Sequence, residues 1–127
     1  MRILVIDEDA LNLKLTRTVL AAGGHEVLSA ASATEGFKSL EKELPELIVM
    51  DVHLSDMGGF SAIQRLKSNA RLRSIPVIAL TAMAMKGDRE RILQAGFDFY
   101  VAKPIRYREL LDLLAGINKR NSDHSGS

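Results

Sequence analysis

Leu47-Ile48-Val49-Met50-Asp51-Val52-His53-Leu54-Ser55-Asp56-Met57-Gly58-Gly59 is the stretch on which the reading of this chain turns. Its first four residues are apolar with no polar alternation, the pattern of a parallel strand buried on both faces. Open α/β sheets carry their chemistry just beyond the carboxyl ends of such strands, and Asp51 stands at that place. Taken alone, the position leaves two roles open: a functional carboxylate, or an acid that starts a turn or caps a helix.

The same grammar recurs on both sides of this stretch. Upstream, Arg2 to Ile6 is a β-branched apolar run ending on Asp7, Glu8 and Asp9, and Glu26 to Ala30 is a weaker second strand. Downstream, Pro76 opens Val77-Ile78-Ala79-Leu80, which ends on Thr81, and Phe99 to Ala102 ends on Lys103 and Pro104. Between them lie helical patterns. Leu11, Leu15, Val19 and Ala22 recur at helical spacing and are stopped by Gly23 and Gly24; Ser32 precedes Ala33, Phe37, Leu40 and Leu44, with Pro45 next. Gly58 and Gly59 allow a tight turn before Phe60, Ile63 and Leu66, and a fourth helix runs from about Met85 to Ala95 before Gly96. The last helix, Tyr107 to Ile117, carries Leu110, Leu113, Leu114 and Ile117 on one face. Repeated strand-then-helix units predict an α/β, doubly wound, five-stranded parallel sheet with flavodoxin-like order 2-1-3-4-5 and helices on both faces. The expected organisation is one domain, residues 1–118, followed by a polar flexible tail, 119–127.

Composition bounds the function. With 127 residues, 46% hydrophobic and 26% charged, the chain suits a single core, and a net charge of +1 makes no electrostatic case for nucleic acid or a membrane surface. The absence of cysteine excludes disulfides, thiolate metal sites and cysteine nucleophiles. The apolar run after Met1 is too short for a signal or a membrane span and breaks at Asp7, so a cytoplasmic location is expected. His25 reads as a surface turn residue, because no histidine or carboxylate lies at a useful metal spacing from it.

The expected switch point, between the first and third strands, brings Asp7, Glu8 and Asp9 opposite Asp51. Neighbouring strands add the hydroxyl of Thr81 and the ammonium of Lys103. Clustered carboxylates repel unless water or a hard cation compensates them, a strand-end threonine can be a simple N-cap, and a buried lysine is costly unless paired. Together they are the parts of a phosphoryl-transfer site: carboxylates to hold Mg²⁺ or Mn²⁺, cations for the phosphoryl oxygens, and an acid able to become an aspartyl phosphate. No glycine-rich phosphate loop is present, so a nucleotide bound by this chain is not the expected donor.

At these motifs, Ile3-Leu4-Val5-Ile6-Asp7-Glu8-Asp9, Leu47-Ile48-Val49-Met50-Asp51, Ala79-Leu80-Thr81-Ala82 and Ala95-Gly96-Phe97-Asp98-Phe99-Tyr100-Val101-Ala102-Lys103-Pro104, the chain resembles the receiver domain of bacterial two-component response regulators, of the single-domain chemotaxis-regulator kind. The resemblance spans Arg2 to about Ile117. It implies that Asp51 accepts a phosphoryl group from a phosphohistidine of a histidine kinase or phosphotransfer protein, and that Lys103 contacts the phosphoryl oxygens. It further implies that Glu8, Asp51 and the backbone carbonyl of His53 bind Mg²⁺, with Asp7 acting through water, and that Thr81 and Tyr100 form a switch pair. The family's Lys-Pro bond, here Lys103-Pro104, is commonly cis. The implied output surface is the fourth helix, fifth strand and fifth helix, with Lys86, Arg89, Arg106 and Tyr107 as candidate contacts for a downstream protein. His53 and Met83 would flank the phosphoryl group and influence how fast water removes it. Such a protein promotes its own phosphorylation and dephosphorylation and is not a turnover enzyme.

Two positions depart from the family pattern: Ser55 stands where proline is frequent, and Glu8 replaces the commoner aspartate. The first puts the stiffness of the loop in question, the second the reach and denticity of a cation ligand. Met1 and the short tail suit a single-domain regulator; a module cut from a hybrid kinase or a longer regulator is the alternative. Asp7-Glu8-Asp9 also imitates the first motif of haloacid-dehalogenase-type phosphatases, but Leu11 and the order Asp51, Thr81, Lys103 do not fit that enzyme.

Overall fold

Alternation along the strands organises the fold. The computed structural model describes residues 1–82 and 86–125. Strands β1 (Arg2–Ile6), β2 (Glu26–Ala30), β3 (Leu47–Asp51), β4 (Val77–Thr81) and β5 (Phe99–Ala102) alternate with helices α1 (Ala10–Ala22), α2 (Ala33–Lys42), α3 (Gly59–Ser68), α4 (Lys86–Ala95) and α5 (Tyr107–Ser125). All strand pairs are parallel, in the order β2-β1-β3-β4-β5, as the sequence predicts. Successive side chains of a strand point to opposite faces, so the apolar runs feed two cores. Leu4, Ile6, Ile48, Met50, Val77 and Ala79 pack with Leu40, Ile63, Leu66 and Ile92 of α2, α3 and α4. Ile3, Val5, Leu47, Val49, Ile78 and Leu80 pack with Leu20, Leu110, Leu114 and Ile117 of α1 and α5. Each such fully buried leucine or isoleucine stabilises the fold by roughly 2 kcal/mol.

Helix α1 faces the core with a stripe other than the expected one. Leu11 and Leu15 are 66% and 42% exposed, whereas Thr16 and Leu20 are buried and Leu13 packs against the second core. Two apolar stripes run along this helix, and the buried one is masked in sequence because a threonine lies at its centre. Helix α5 continues to Ser125, past the expected end at Ile117. No proline or glycine interrupts the sequence from Asn118 to Ser125. The fourth helix begins at Lys86, with Gly96 at φ +119° following its end.

His25 is not simply a surface turn residue. It is half-buried, its Nδ1 lies 3.2 Å from the terminal amine of Met1, and burial, then the nearby ammonium, hold its pKa below the ordinary value.

Of the two glycines after β3, Gly59 is there for close approach. Among the described residues, positive φ occurs only at Gly24 and Gly96. The N–H of Gly59 donates to the Val52 carbonyl at 2.8 Å, and a Cβ at Gly59 would stand 2.5 Å from Val52 Cα and 2.6 Å from its oxygen. That obstacle is backbone, so no rotamer change relieves it. Gly59→Ala is expected to destabilise the protein by about 2 kcal/mol, read as a lower midpoint in urea with an unchanged slope; a midpoint equal to wild type would show that the β3-to-α3 loop yields freely.

Candidate functional site

The carboxyl ends of β1, β3 and β5 place Asp7, Asp51 and Lys103 within reach of one another. Strands β1 and β3 pair Ile6 with Met50, so the next residues, Asp7 and Asp51, leave the sheet side by side. On the far side of β4, Thr81 pairs with Ala102, and the Lys103 N–H donates to the Thr81 carbonyl at 2.8 Å. The Lys103 ammonium then donates to Asp51 Oδ2 at 2.7 Å and lies 3.2 Å from Asp7 Oδ2. Asp7 is fully buried and Asp51 is buried, and two carboxylates against one ammonium leave one negative charge uncompensated.

The other carboxylate oxygens are held by backbone. Asp51 Oδ1 accepts from the His53 N–H at 2.8 Å, and Asp7 Oδ1 accepts from the Asp9 N–H at 3.0 Å. Asp7 Oδ2 has no hydrogen-bond partner and only the longer ion pair. Burial therefore raises the Asp7 pKa despite its Asp9 hydrogen bond and the attraction of Lys103, with Asp51 adding repulsion. Burial also disfavours the charged form of Lys103, but its hydrogen bond and attraction to Asp51, then the attraction of Asp7, override this and raise its pKa. Lys103 serves Asp51 more closely than Asp7, so Asp7 is the under-compensated member of the three.

The remaining acids divide the labour. Asp9 is the N-cap of α1, its side chain accepting from the Asn12 N–H at 3.1 Å, so one acid of the strand-end run has the capping role. Glu8 is exposed and turned to Ser55: its Oε2 accepts from the Ser55 N–H at 3.0 Å and from the Ser55 hydroxyl. Asp56 reaches α2, accepting from the N–H groups of Ala33 and Thr34 at 3.1 and 2.9 Å and from the Thr34 hydroxyl at 2.7 Å. Its hydrogen bonds to Thr34 hold its pKa below the usual carboxylate range. The loop in question at Ser55 is thus tied to β1–α1 on one side and to α2 on the other. Sequence reasoning missed both ties; an acid followed 47 residues later by a serine carries no local signal.

Thr81 is fully buried at the end of β4, and strand alternation puts it on the face of Ala79, away from that of Ile78 and Leu80. Tyr100, register partner of Ala79, is half-buried and packs on the same core. The Arg89 guanidinium lies 5.4 Å from the Tyr100 ring centroid, a cation–π contact. The Lys103-Pro104 bond is cis, as the resemblance implies. The His53 side chain is exposed, as is Arg106, while Tyr107 is half-buried. Met83 and the side chain of Lys86 lie outside the described residues.

Among the described residues, no three His, Cys, Asp or Glu side chains are gathered as a ready-made cation site. Mg²⁺ needs fewer, since it keeps several waters and takes one or two carboxylates. The donors here fit it: buried hard oxygens on Asp7 and Asp51, one without a hydrogen bond, and surplus negative charge.

Comparison with known proteins gives the family and the fold. A family model described as the response regulator receiver domain matches residues 3–115. The chain is 38% identical over 112 residues to the polar-differentiation response regulator DivK of Brucella ovis, covering 88% of this chain and 91% of that one. Its fold is similar to a CheY-like receiver domain protein from Methanospirillum hungatei JF-1 (TM-score 0.85, 30% identical, 97% of each chain covered). It is also similar to the receiver domain of a sensor histidine kinase from Pseudomonas aeruginosa PAO1, described with a magnesium ion in its active-site cleft (TM-score 0.81, 34% identical, 89% and 93% covered).

The pH dependence of stability follows from the raised Asp7. A carboxyl whose folded pKa lies above its unfolded value destabilises the fold fully above the raised value and not at all below the ordinary 3.8. Asp7→Asn is expected to raise the melting temperature by about 4 °C at pH 7, with the gain shrinking as the pH falls toward that value. A gain that persists unchanged in acid would show that charge burial is not its source. For Lys103 the sign is opposite: its stabilisation is present below 10.5 and lost as the pH rises through the raised value.

Proposed function

This chain belongs to the response regulator receiver domain family of two-component signalling, and we propose that it is a phosphorylation-dependent switch whose acceptor is Asp51. The observation that carries the proposal is the Asp7–Lys103–Asp51 arrangement at the switch point, with Asp51 almost fully buried at the end of the central strand. An Asp51 oxygen attacks the phosphorus of a phosphohistidine as the P–N bond breaks. The bonding pair leaves on the imidazole nitrogen, which takes a proton from solvent. Lys103, already 2.7 Å from the attacking group, holds charge that develops on the phosphoryl oxygens. The His53 N–H at Asp51 Oδ1 fixes the direction in which the carboxylate faces. Mg²⁺ or Mn²⁺, held by Glu8, Asp51 and the His53 carbonyl with Asp7 acting through water, would neutralise the phosphoryl group and the surplus acid charge.

The partners are a histidine kinase or a histidine phosphotransfer protein upstream and a protein target downstream; no role for nucleic acid or a membrane is proposed. No described helix is long and apolar enough to cross a membrane. Membership of a two-component signalling family supports a cytoplasmic location. A new dianion at Asp51 draws the buried Thr81 hydroxyl toward it, and the Tyr100 ring follows into the space vacated. The Arg89 contact couples that ring to α4, so the readout falls on α4, β5 and α5. Residues 1–118 carry the switch. The domain alters its own phosphorylation state and does not turn over a substrate. The motif order and family membership disfavour the haloacid-dehalogenase alternative.

Incubation with acetyl phosphate and Mg²⁺ is expected to add one phosphoryl group by intact-mass spectrometry, and Asp51→Asn to abolish the gain. No gain in the wild type would instead mark a receiver that no longer accepts phosphate. The exposed His53 side chain and Met83 modulate hydrolysis of the product, so the phosphoryl lifetime is expected to change at least about twofold in His53→Asn or Met83→Ala; unchanged lifetimes in both would remove that role.

A further inference from the structure

The two residues that depart from the family pattern, Glu8 and Ser55, are bonded to each other. Both donors of Ser55, its N–H and its hydroxyl, go to the same oxygen, Glu8 Oε2. Proline at this position would have neither donor, and an aspartate at position 8 would be one methylene shorter. Each substitution therefore has its use in the presence of the other. A third polar residue reinforces the pair: Asp56, next in sequence, is anchored on the first turn of α2, so Ser55 does not drift with a loose loop. While Ser55 holds Glu8, the carboxylates of Asp7 and Asp51 face Lys103 without it.

We propose that Ser55 is a positioning residue that sets the affinity of this receiver for divalent cations, by engaging the Glu8 carboxylate that would otherwise turn to the cation. The inference rests on the cation use proposed above and deepens it. A carboxylate oxygen that already accepts two hydrogen bonds has less charge to offer a hard cation, and one of those bonds must be given up or shared when Glu8 turns inward. Both residues are exposed, so water softens the competition to a modest factor. The result is a cation site whose filling is linked to the β3-to-α3 loop: binding releases Ser55, and that loop carries the His53 N–H that orients Asp51.

Mg²⁺ titration of the full chain by isothermal calorimetry tests this without reference to phosphorylation. Ser55→Ala, which keeps the N–H, is expected to bind Mg²⁺ about threefold more tightly than wild type, and Ser55→Pro, which loses both donors, about tenfold. Ser55→Thr keeps both donors and is expected to retain wild-type affinity. In a Glu8→Asp background the Ser55→Ala gain is expected to vanish. In the wild type, Mg²⁺ is expected to shift the Ser55 amide resonance and shorten its hydrogen-exchange lifetime. Equal or weaker binding by Ser55→Ala, or the same gain in the Glu8→Asp background, overturns the positioning role while leaving the cation reading intact. A wild type and variants that bind no Mg²⁺ overturn the cation reading itself, and the positioning role with it.

Discussion

The Lys103 ammonium between Asp7 and Asp51 is the constraint on which the rest of this structure depends. Two carboxylates emerging from adjacent buried strands cannot both stay ionised at such proximity without a counter-charge. Among the described residues, the strand end that supplies it is that of β5, two strands away from β3 across β4. Strands β1, β3, β4 and β5 must therefore be assembled in this order for the acids to be compensated. Burial, with repulsion from Asp51, leaves Asp7 a cost even in the finished fold.

That cost has a physical meaning for function. Lys103 neutralises one acid well and the other poorly, so the site keeps a surplus of negative charge in a poorly solvated place. The cation and phosphoryl group proposed for this site would complete the balance that the side chains leave open. The backbone donors on Asp7 and Asp51 orient both carboxylates without adding compensating charge, so direction is preorganised while electrostatics are left incomplete.

Strands, helices and sheet order were legible because uninterrupted apolar runs have one reading when helices with apolar stripes follow each of them. The positions of Asp7, Asp51, Thr81 and Lys103 were legible for a related reason: each is a polar residue at or just past the end of an apolar strand. The face of α1 was not, since helical spacing alone allowed Leu11 and Leu15 to be buried, and the core selected the stripe centred on Thr16. The reason for Gly59 was also hidden. It reads as a turn residue, yet its role is the approach of one backbone to another at Val52.

The sequence by itself determined the order of strands and helices, the polar residues at the ends of β1, β3, β4 and β5, and through these the topology, because local pattern and strand burial are properties of neighbouring residues. Tertiary structure alone decided which partner each acid takes. It gave Asp9 to a helix cap, Asp56 to α2, Asp7 and Asp51 to Lys103, and Glu8 to Ser55. Those assignments depend on distances of a few ångströms between residues tens of positions apart, and on backbone N–H groups that every non-proline residue carries and that composition therefore does not distinguish. In the stretch from Leu47 to Gly59, the pattern placed Asp51 at a strand end; the folded loop bonded Ser55 to Glu8.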